Sequence, residues 1–338
     1  MVYGAIDLHS KHSLIRIIDA EGAVLRERRT PTSAERLVDA FAAVGPIRIL
    51  VEAGTESEWV AQALEAASYT VIVADPNFAP MYGERSRQVK TDRRDVRALA
   101  EANRRGWYRR AYRRSAAQRE VQQRLRSRRL LVQMRTQTIS LLRSLVRQAG
   151  FRVPSGRTET VPQRLMGLAL PPALTETLAP LRRMVEDLTK EIAGVEARLV
   201  PVAKADPVVV QLQTVPGVGP MVGLTYRAVI DDVRRFHRAA QVSAAIGLVP
   251  REDSSAERRH RGHITKAGSS ELRSLLIQAA WACWRSKRSG TLHAWVENVA
   301  RRRGRRIAVV ALARRLSRIL YALWRDGSTF NAALLATA

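Results

Sequence analysis

Four carboxylates and a pair of hydroxyls stand out for the chemistry their types and spacing allow. Asp7 closes the run VYGAID, Glu52 closes RILVE, and Asp92 and Asp95 stand three apart in KTDRRD. Residues three apart on a helix share a face. Acids gathered at close quarters repel one another unless cations neutralise them, and Mg²⁺ takes hard oxygen ligands of this kind. Two such ions can hold the attacking and leaving oxygens of a phosphodiester. Singly, each acid has an ordinary reading: Asp7 in a strand-end turn, Asp92 as an N-cap, Asp95 in a first helical turn where negative charge is favoured. All four in one topology favour a metal site. Ser254 and Ser255 lie among Arg251, Arg258, Arg259, Arg261 and Lys266. A serine ringed by cations suits a nucleophile that attacks phosphate, because the cations offset charge developing in the transition state. A flexible basic loop whose serines only form turns is the alternative.

The acids need elements to carry them, and the first hundred residues supply a pattern. Val2–Asp7, Ser13–Ile18 and Ala23–Arg28 are short runs rich in apolar and β-branched residues, and Asp19–Gly22 makes a turn between the last two. Thr32–Phe41 has helical spacing, with Thr32 or Ser33 as N-cap. Arg48–Glu52 and Tyr69–Ala74 read as buried strands, and Ser57–Ala67 and Thr91–Asn103 as helices. The expected order is βββ-α-β-α-β-α, with Asp7 and Glu52 at strand ends and the Asp92/Asp95 pair at a helix start.

Charge is distributed unevenly. The 338 residues carry 57 Lys+Arg against 31 Asp+Glu, a net +26, and only six of the basic residues are lysine. Such a chain repels itself unless something anionic neutralises it. With 46% hydrophobic residues it can still build cores, so it is no disordered basic tail. Residues 1–102 hold 13 basic and 15 acidic groups, 103–150 hold 14 and one, and 151–338 hold 30 and 15. The basic surface is thus expected to begin at Arg104 and to continue through Arg105, Arg109, Arg110, Arg113 and Arg114 as a nucleic-acid contact. Arginine suits that role because its planar fork grips phosphate oxygens and its charge never switches off. In the same segment Val121, Leu125, Leu131, Met134, Ile139, Leu142 and Val146 recur at helical spacings, which predicts one or two long amphipathic helices. A single cysteine, Cys283, excludes a disulfide framework and a cysteine-rich zinc module. No apolar run approaches the ~18 residues of a membrane span. Asp7 stands where a secretory leader would place its apolar core, which argues against export and for a cytoplasmic, nucleoid-associated protein.

The C-terminal half carries further signals. VPGVGP, residues 215–220, resembles the hairpin of a helix-hairpin-helix motif, in which Gly217 and Gly219 permit a tight turn and amides near a helix start can meet phosphate. A plain interhelical turn is the alternative. Leu272, Leu275, Leu276 and Ala279 mark an inward-packing helix after the serine segment. Met184, Leu188, Ile192, Val195 and Leu199 suit a packed helix or short coiled coil and an oligomer contact. Arg301–Arg306 (RRRGRR) reads as a nucleic-acid patch, with a solvated helix start as its alternative. His260 and His263, without cysteines or paired acids nearby, make a poor zinc site. Trp281, Trp284, Trp295 and Trp324 read as core or interface residues.

The order of strands and acids resembles the RNase H-like fold and, within it, the RuvC-type nucleases, through the motifs GAIDLH, LVEAGT and KTDRRD. Adding VPGVG and GLVPREDSS…RRHRGHITKAGSSELRSLLIQAAW, the chain resembles nearly end to end the DEDD transposases of the IS110 and IS1111 type, the bridge-RNA-guided recombinases of bacterial insertion sequences. The resemblance implies that the family's four acids fall on Asp7, Glu52, Asp92 and Asp95 and bind Mg²⁺, and that its catalytic serine falls on Ser255. The serine segment departs from the family's usual aromatic residue followed by a Ser-Gly pair: Glu252-Asp253 stand ahead of the serines and Ala256 after them.

The expected architecture is therefore an α/β RuvC-like (RNase H-like) domain over residues 1–105, an Arg-rich helical and coiled-coil linker over 106–205, and a mainly α-helical transposase domain over 206–338. The expected activity is DNA cutting and rejoining through a covalent phosphoserine. Donor and target DNA, a bridge RNA and further copies of the chain, as a dimer or tetramer, are the expected partners, and no membrane. Base pairing by the RNA would choose the sequence while the protein holds shape and backbone. Two rivals remain: a RuvC-like junction nuclease that hydrolyses with water and forms no covalent intermediate, and a non-catalytic RNA-binding scaffold.

Overall fold

A computed structural model describes residues 1–83, 91–254 and 259–331. Two compact units divide the chain, Met1–Arg113 and Arg114–Ala338. The first therefore runs eight residues past the boundary expected at 105, and the second joins the expected linker and C-terminal domain in one body.

The first unit is a five-stranded mixed sheet with helices on both faces. Its strands are β1 (Val2–Asp7), β2 (His12–Ile18), β3 (Val24–Pro31), β4 (Ile47–Glu52) and β5 (Thr70–Ala74), in spatial order β3-β2-β1-β4-β5. β1, β2 and β3 form an antiparallel meander, and β4 and β5 run parallel to β1. Helices α1 (Ala34–Ala40) and α2 (Ser57–Ala66) lie between these strands in sequence, and α3 (Asp92–Arg105) follows them. Ser33 caps α1 with its hydroxyl, and Thr91 caps α3.

Strand alternation sorts the side chains. Ile6 and Val51 belong to the core under α1 and α2, while Ala5, Leu50, Ile18 and Ile72 meet Val96, Leu99 and Ala100 of α3. In the parallel register Ala5 pairs with Leu50 and Ile6 with Val51. The next residues, Asp7 and Glu52, fall on the α3 face at the carboxyl ends of adjacent strands.

The second unit begins with α4 (Ala116–Gln148), a single helix of 33 residues, followed by α5 (Val161–Met166) and α6 (Pro172–Ala205). Arg128 donates to Glu196, Arg135 to Thr189 and Thr138 to Met184. The falling partner numbers make α4 and α6 antiparallel. Leu142, Val146, Val185 and Leu178 close one part of this seam, and Leu125, Leu199 and Ala203 the other. The stripe on α6 is thus covered by α4 within the chain. Met134 and Met184, placed in the expected stripes, are instead 40% and 46% exposed.

A larger core is built by α7 (Pro207–Leu212), α8 (Pro220–Ile230), α9 (Ala239–Ile246), α10 (Ser270–Arg285), α11 (Thr291–Arg303) and α12 (Arg305–Asp326) around Tyr226, Leu272, Leu276, Leu316 and Tyr321. Between α9 and α10 projects an antiparallel hairpin of β6 (Pro250–Ser254) and β7 (Arg259–Ile264). Among the described residues no helix is long and apolar enough to cross a membrane.

Candidate functional site

The acidic site lies in the first unit, and local rules place most of it. Asp7 ends β1 and Glu52 ends β4. Thr91 Oγ1 accepts the amide of Arg94 and caps α3, so Asp92 and Asp95 occupy its first turn. Partial positive charge on the first-turn amides favours both acids there. Asp92 is thus a first-turn residue and not the cap. Asp95 is buried and Asp92 exposed, so the shared face spans from the sheet to the rim.

A buried amide sets the distance between helix and sheet. Asn103, at the far end of α3, is fully buried. Its Nδ2 donates to Gly4 O at 2.8 Å and Arg48 O at 2.7 Å, and its Oδ1 accepts from Arg48 Nε at 2.8 Å. Three hydrogen bonds satisfy a polar side chain that would otherwise be costly to bury. They pin α3 to β1 and β4, the two strands that end in Asp7 and Glu52.

Asp7, Asp92 and His9 come together at the rim. His9 Nε2 lies 3.3 Å from Asp7 Oδ2 and 3.7 Å from Asp92 Oδ1. One ligand atom from each of the three lies within 4.8 Å of the other two. Burial pushes the Asp7 carboxyl above its ordinary pKa, the negative charges of Asp95 and Asp92 push the same way, and His9 opposes them. Asp95 therefore acts on Asp7 electrostatically, without belonging to the close group of three. Glu52 stands apart from that group, its carboxylate accepting the Tyr82 hydroxyl. Two carboxylates and an imidazole at this spacing form a donor set that suits a divalent ion, with the oxygens of Glu52 and Asp95 on the same face of the sheet. His9 stands inside the motif GAIDLH, two residues after Asp7, and that proximity is its only signal in the sequence. Tyr82 and Asn103 carry none, since their partners lie 30 and 55 or more positions away.

The basic residues expected to begin a nucleic-acid surface have another occupation in the first unit. Arg104 pairs with Glu101 at 2.8 Å, and Arg105 pairs with the same carboxylate while lying over Trp107. Arg109 pairs with Asp75 at 2.6 Å and lies over Phe78. Arg113 grips Glu58 at 3.0 Å and Glu65 at 2.9 Å, which raises its pKa above the ordinary value. Arg110 is exposed and bridges through its backbone to Ala74, and Arg114 is half-buried where the second unit starts. The charge step at Arg104 is therefore met partly by Glu101 on the same helix and partly by the remote carboxylates Asp75, Glu58 and Glu65.

In the second unit, Gly217 (φ +85°) carries the turn between α7 and α8. A Cβ there would stand 2.4 Å from Ala279 O and 2.6 Å from Cys283 N, so this glycine lets the turn press on the α10 backbone. Gly219 is the N-cap of α8. The turn borders an open cleft of about 370 Å³ that Ser286 and Arg288 also line.

The serine hairpin rises from a braced base. Gly268 (φ +65°) lies so close to α9 that a Cβ would stand 1.9 Å from Ala245 O. Thr265 N donates to Val249 O at 2.8 Å and Lys266 N to Gly247 O at 3.1 Å. The Arg273 guanidinium bonds the carbonyls of Ile246 and Ala267, both at 2.8 Å. Arg251 lies on β6, Arg259 and Arg261 on β7, and Ser254 pairs in register with Arg259. Lys266 is exposed at φ +58°. Ser255 and Arg258 lie outside the described residues.

Comparisons with known proteins bear on both units. The sequence pattern of a DEDD-type transposase of the IS110 kind matches residues 5–151, and that of the Transposase IS116/IS110/IS902 family matches residues 210–294. The chain is 31% identical to the transposase for insertion sequence element IS1111A of Coxiella burnetii, over 93% of this chain and 87% of that protein. It is 29% identical to a probable family 20 transposase of Pseudomonas aeruginosa, over 94% and 95%. It is 25% identical to the transposase for insertion sequence element IS1328 of Yersinia enterocolitica, over 96% and 97%.

Proposed function

The chain belongs to the insertion-sequence transposases of the IS110/IS1111 family, and on that premise we propose that it is a DNA recombinase that cuts and rejoins strands through a covalent phosphoserine beside an acidic metal site, guided by a bridge RNA. The observation that carries the metal site is the gathering of Asp7, His9 and Asp92 around one point, with Asp95 acting electrostatically on Asp7. The order of strands and acids supports a RuvC-like reading of the first unit.

Asp7, Glu52, Asp92 and Asp95 would hold the divalent ion, Mg²⁺ by the hardness of the donors. Bound there, it would offset the charge that develops on the phosphate oxygens. Tyr82 orients the Glu52 carboxylate through its hydroxyl, and Asn103 keeps α3 in register with β1 and β4. Ser255 would attack a DNA phosphorus through its Oγ. A P–O bond to serine forms, the P–O3′ bond breaks, serine loses its hydroxyl proton and the departing 3′ oxygen gains one. A 3′ hydroxyl from another strand then displaces serine, and the bond energy is conserved. Arg251, Arg258, Arg259, Arg261 and Lys266 would bind the phosphates flanking the scissile one, with Arg110 and the Gly217/Gly219 turn as further backbone contacts. A homo-oligomer, dimer or tetramer, is the proposed working form, and donor DNA, target DNA and the bridge RNA are its partners.

Ser255→Ala tests the covalent step. Wild-type protein incubated with donor DNA and divalent metal, then denatured in detergent, is expected to carry DNA, and the variant none. Adducts at wild-type level in the variant would move the nucleophile, with Ser254 next. Product released by wild type without any adduct would favour a RuvC-like junction nuclease.

A further inference from the structure

The densest arginine cluster of the second unit has no part in this scheme. Arg301, Arg302 and Arg303 form the last turn of α11, and Arg305 and Arg306 the first turn of α12, with Gly304 (φ +82°) turning the chain between them. All five arginines are exposed, and among the described residues none is ion-paired. Helix electrostatics accounts for only three of them. Cations suit the C-terminal turn of α11, but they oppose the positive pole of α12, where acids belong. The first turn of α12 carries no acid, and its N-cap is a glycine. Five cations in six positions repel one another unless an external anion lies against them.

The corner is also ordered in advance. The Arg305 guanidinium lies over the stacked indoles of Trp281 and Trp284, 6.0 Å and 5.3 Å from their centroids. The two rings are nearly parallel, 5.3 Å apart at 8°. Trp284 is fixed in turn by its Nε1 donating to Glu297 at 2.7 Å. An aromatic bed thus holds Arg305 in place and leaves its charge uncancelled.

We propose that the α11–α12 corner is a docking surface for the sugar–phosphate backbone of duplex DNA. Arginine forks match phosphate oxygens and stay charged at every working pH. A single strand is the poorer occupant, because binding of that kind stacks bases on open aromatic faces. Here the indoles stack on each other beneath Arg305, and Trp284 is only 5% exposed. Contacts made by arginine alone to the backbone carry no base code, so the surface holds DNA without choosing its sequence.

The proposal rests on the recombinase reading, and its test separates the two. Full-length protein without divalent metal is titrated with a fluorescent DNA duplex of arbitrary sequence over a range of salt concentrations. The variant combines Arg301→Gln, Arg302→Gln, Arg303→Gln and Arg306→Gln and leaves Arg305 on its indoles. The slope of log affinity against log salt is expected to shrink by about 0.9 for each phosphate no longer neutralised, about 2–4 in all, with at least a ~10-fold weakening of affinity at moderate salt. The matching fourfold lysine variant should recover most of the slope, and Arg113→Gln should keep the wild-type slope. Arg302→Gln alone, on an exposed turn, guards against misfolding of the combined variant and is expected to show the same sign at about one quarter of the size. A folded fourfold variant with wild-type slope and affinity would overturn the proposal, as would a larger effect of the substitutions on a single strand or an RNA duplex of equal length. Wild-type protein that binds no duplex DNA would overturn the proposal together with the recombinase reading, whereas the folded fourfold variant with wild-type binding overturns the proposal alone.

Discussion

The paired arginines of the first unit and those of the α11–α12 corner in the second are used in opposite ways, although other arginines of the second unit, such as Arg128 on Glu196, are paired as well. Met1–Arg113 holds 18 basic and 15 acidic residues, net +3, and Arg114–Ala338 holds 39 and 16, net +23. In the first, arginines work as internal staples: Arg113 on Glu58 and Glu65, Arg109 on Asp75, Arg104 and Arg105 on Glu101. In the second, the α11–α12 arginines face solvent with no carboxylate among the described residues against them, and one is braced by indoles instead. A dense arginine run can thus be paired within the fold or left facing solvent. What decides is whether the fold delivers a carboxylate to each guanidinium.

The largest expected effect separates the acids of the first unit from its staples. Asp7→Asn should lower strand cleavage by about 10²–10³-fold or more, the scale of removing one preorganised electrostatic group, while the metal-free protein becomes more heat-stable above the ordinary carboxylate range. The sign follows from the raised pKa of Asp7. A carboxyl whose pKa is higher folded than unfolded stabilises the fold while protonated. That contribution is full below the unfolded pKa and is lost as pH rises through the folded one. An asparagine loses nothing over that window, so melting curves of the two proteins should diverge as pH rises from acid to neutral. Equal curves would mean that the site does not strain the metal-free fold.

Gly268→Ala tests whether the second unit needs its braced hairpin base. The new Cβ would fall on Ala245 O and the residue sits at φ +65°, so unfolding of this unit in denaturant should come earlier by about 3 kcal/mol. Asn103→Ala is the counterpart in the first unit. It strands the carbonyls of Gly4 and Arg48 and a guanidinium nitrogen, and should cost about 2–3 kcal/mol and loosen α3. Amide exchange in α3 would report this before global unfolding does. Arg113→Gln should cost about 1 kcal/mol or less in the first unit, because the pairs are partly solvated, and should leave the salt slope of DNA binding unchanged. A slope that falls as it does for the α11–α12 variant would erase the contrast between the units.

The first unit is legible because its signals are local. The apolar run predicts a strand over Val2–Asp7 and β1 has the same ends, and the helix expected from Thr91 puts Asp92 and Asp95, three residues apart, in the first turn of α3, where Thr91 and not Asp92 is the cap. The β6–β7 hairpin is not legible as strands: PREDS and RHRGHI are polar on both faces, so no two-residue alternation marks them. The apolar stripe predicts α6 only over Arg182–Leu199, yet the helix runs from Pro172 to Ala205 through Pro180 and Pro201, carried by burial of Leu178, Leu199 and Ala203 on either side. Of the site, the four acids are readable from their places at element ends. His9 is visible only beside Asp7, and Tyr82 and Asn103 not at all.

The amino-acid sequence by itself determined the order of elements in the first unit, the acids at their ends, the face they share and the excess of arginine, because periodicity, caps and charge counts act over a few residues. Tertiary structure alone decided that Asp7 meets Asp92 across His9, that Asn103 binds helix to sheet, and which guanidinium groups meet a carboxylate remote in sequence. Those outcomes depend on partners as far apart as Arg109 and Asp75, 34 positions, or Arg113 and Glu58, 55 positions. Whether an arginine finds a carboxylate is a question of distance in space, and only the packed chain sets that distance.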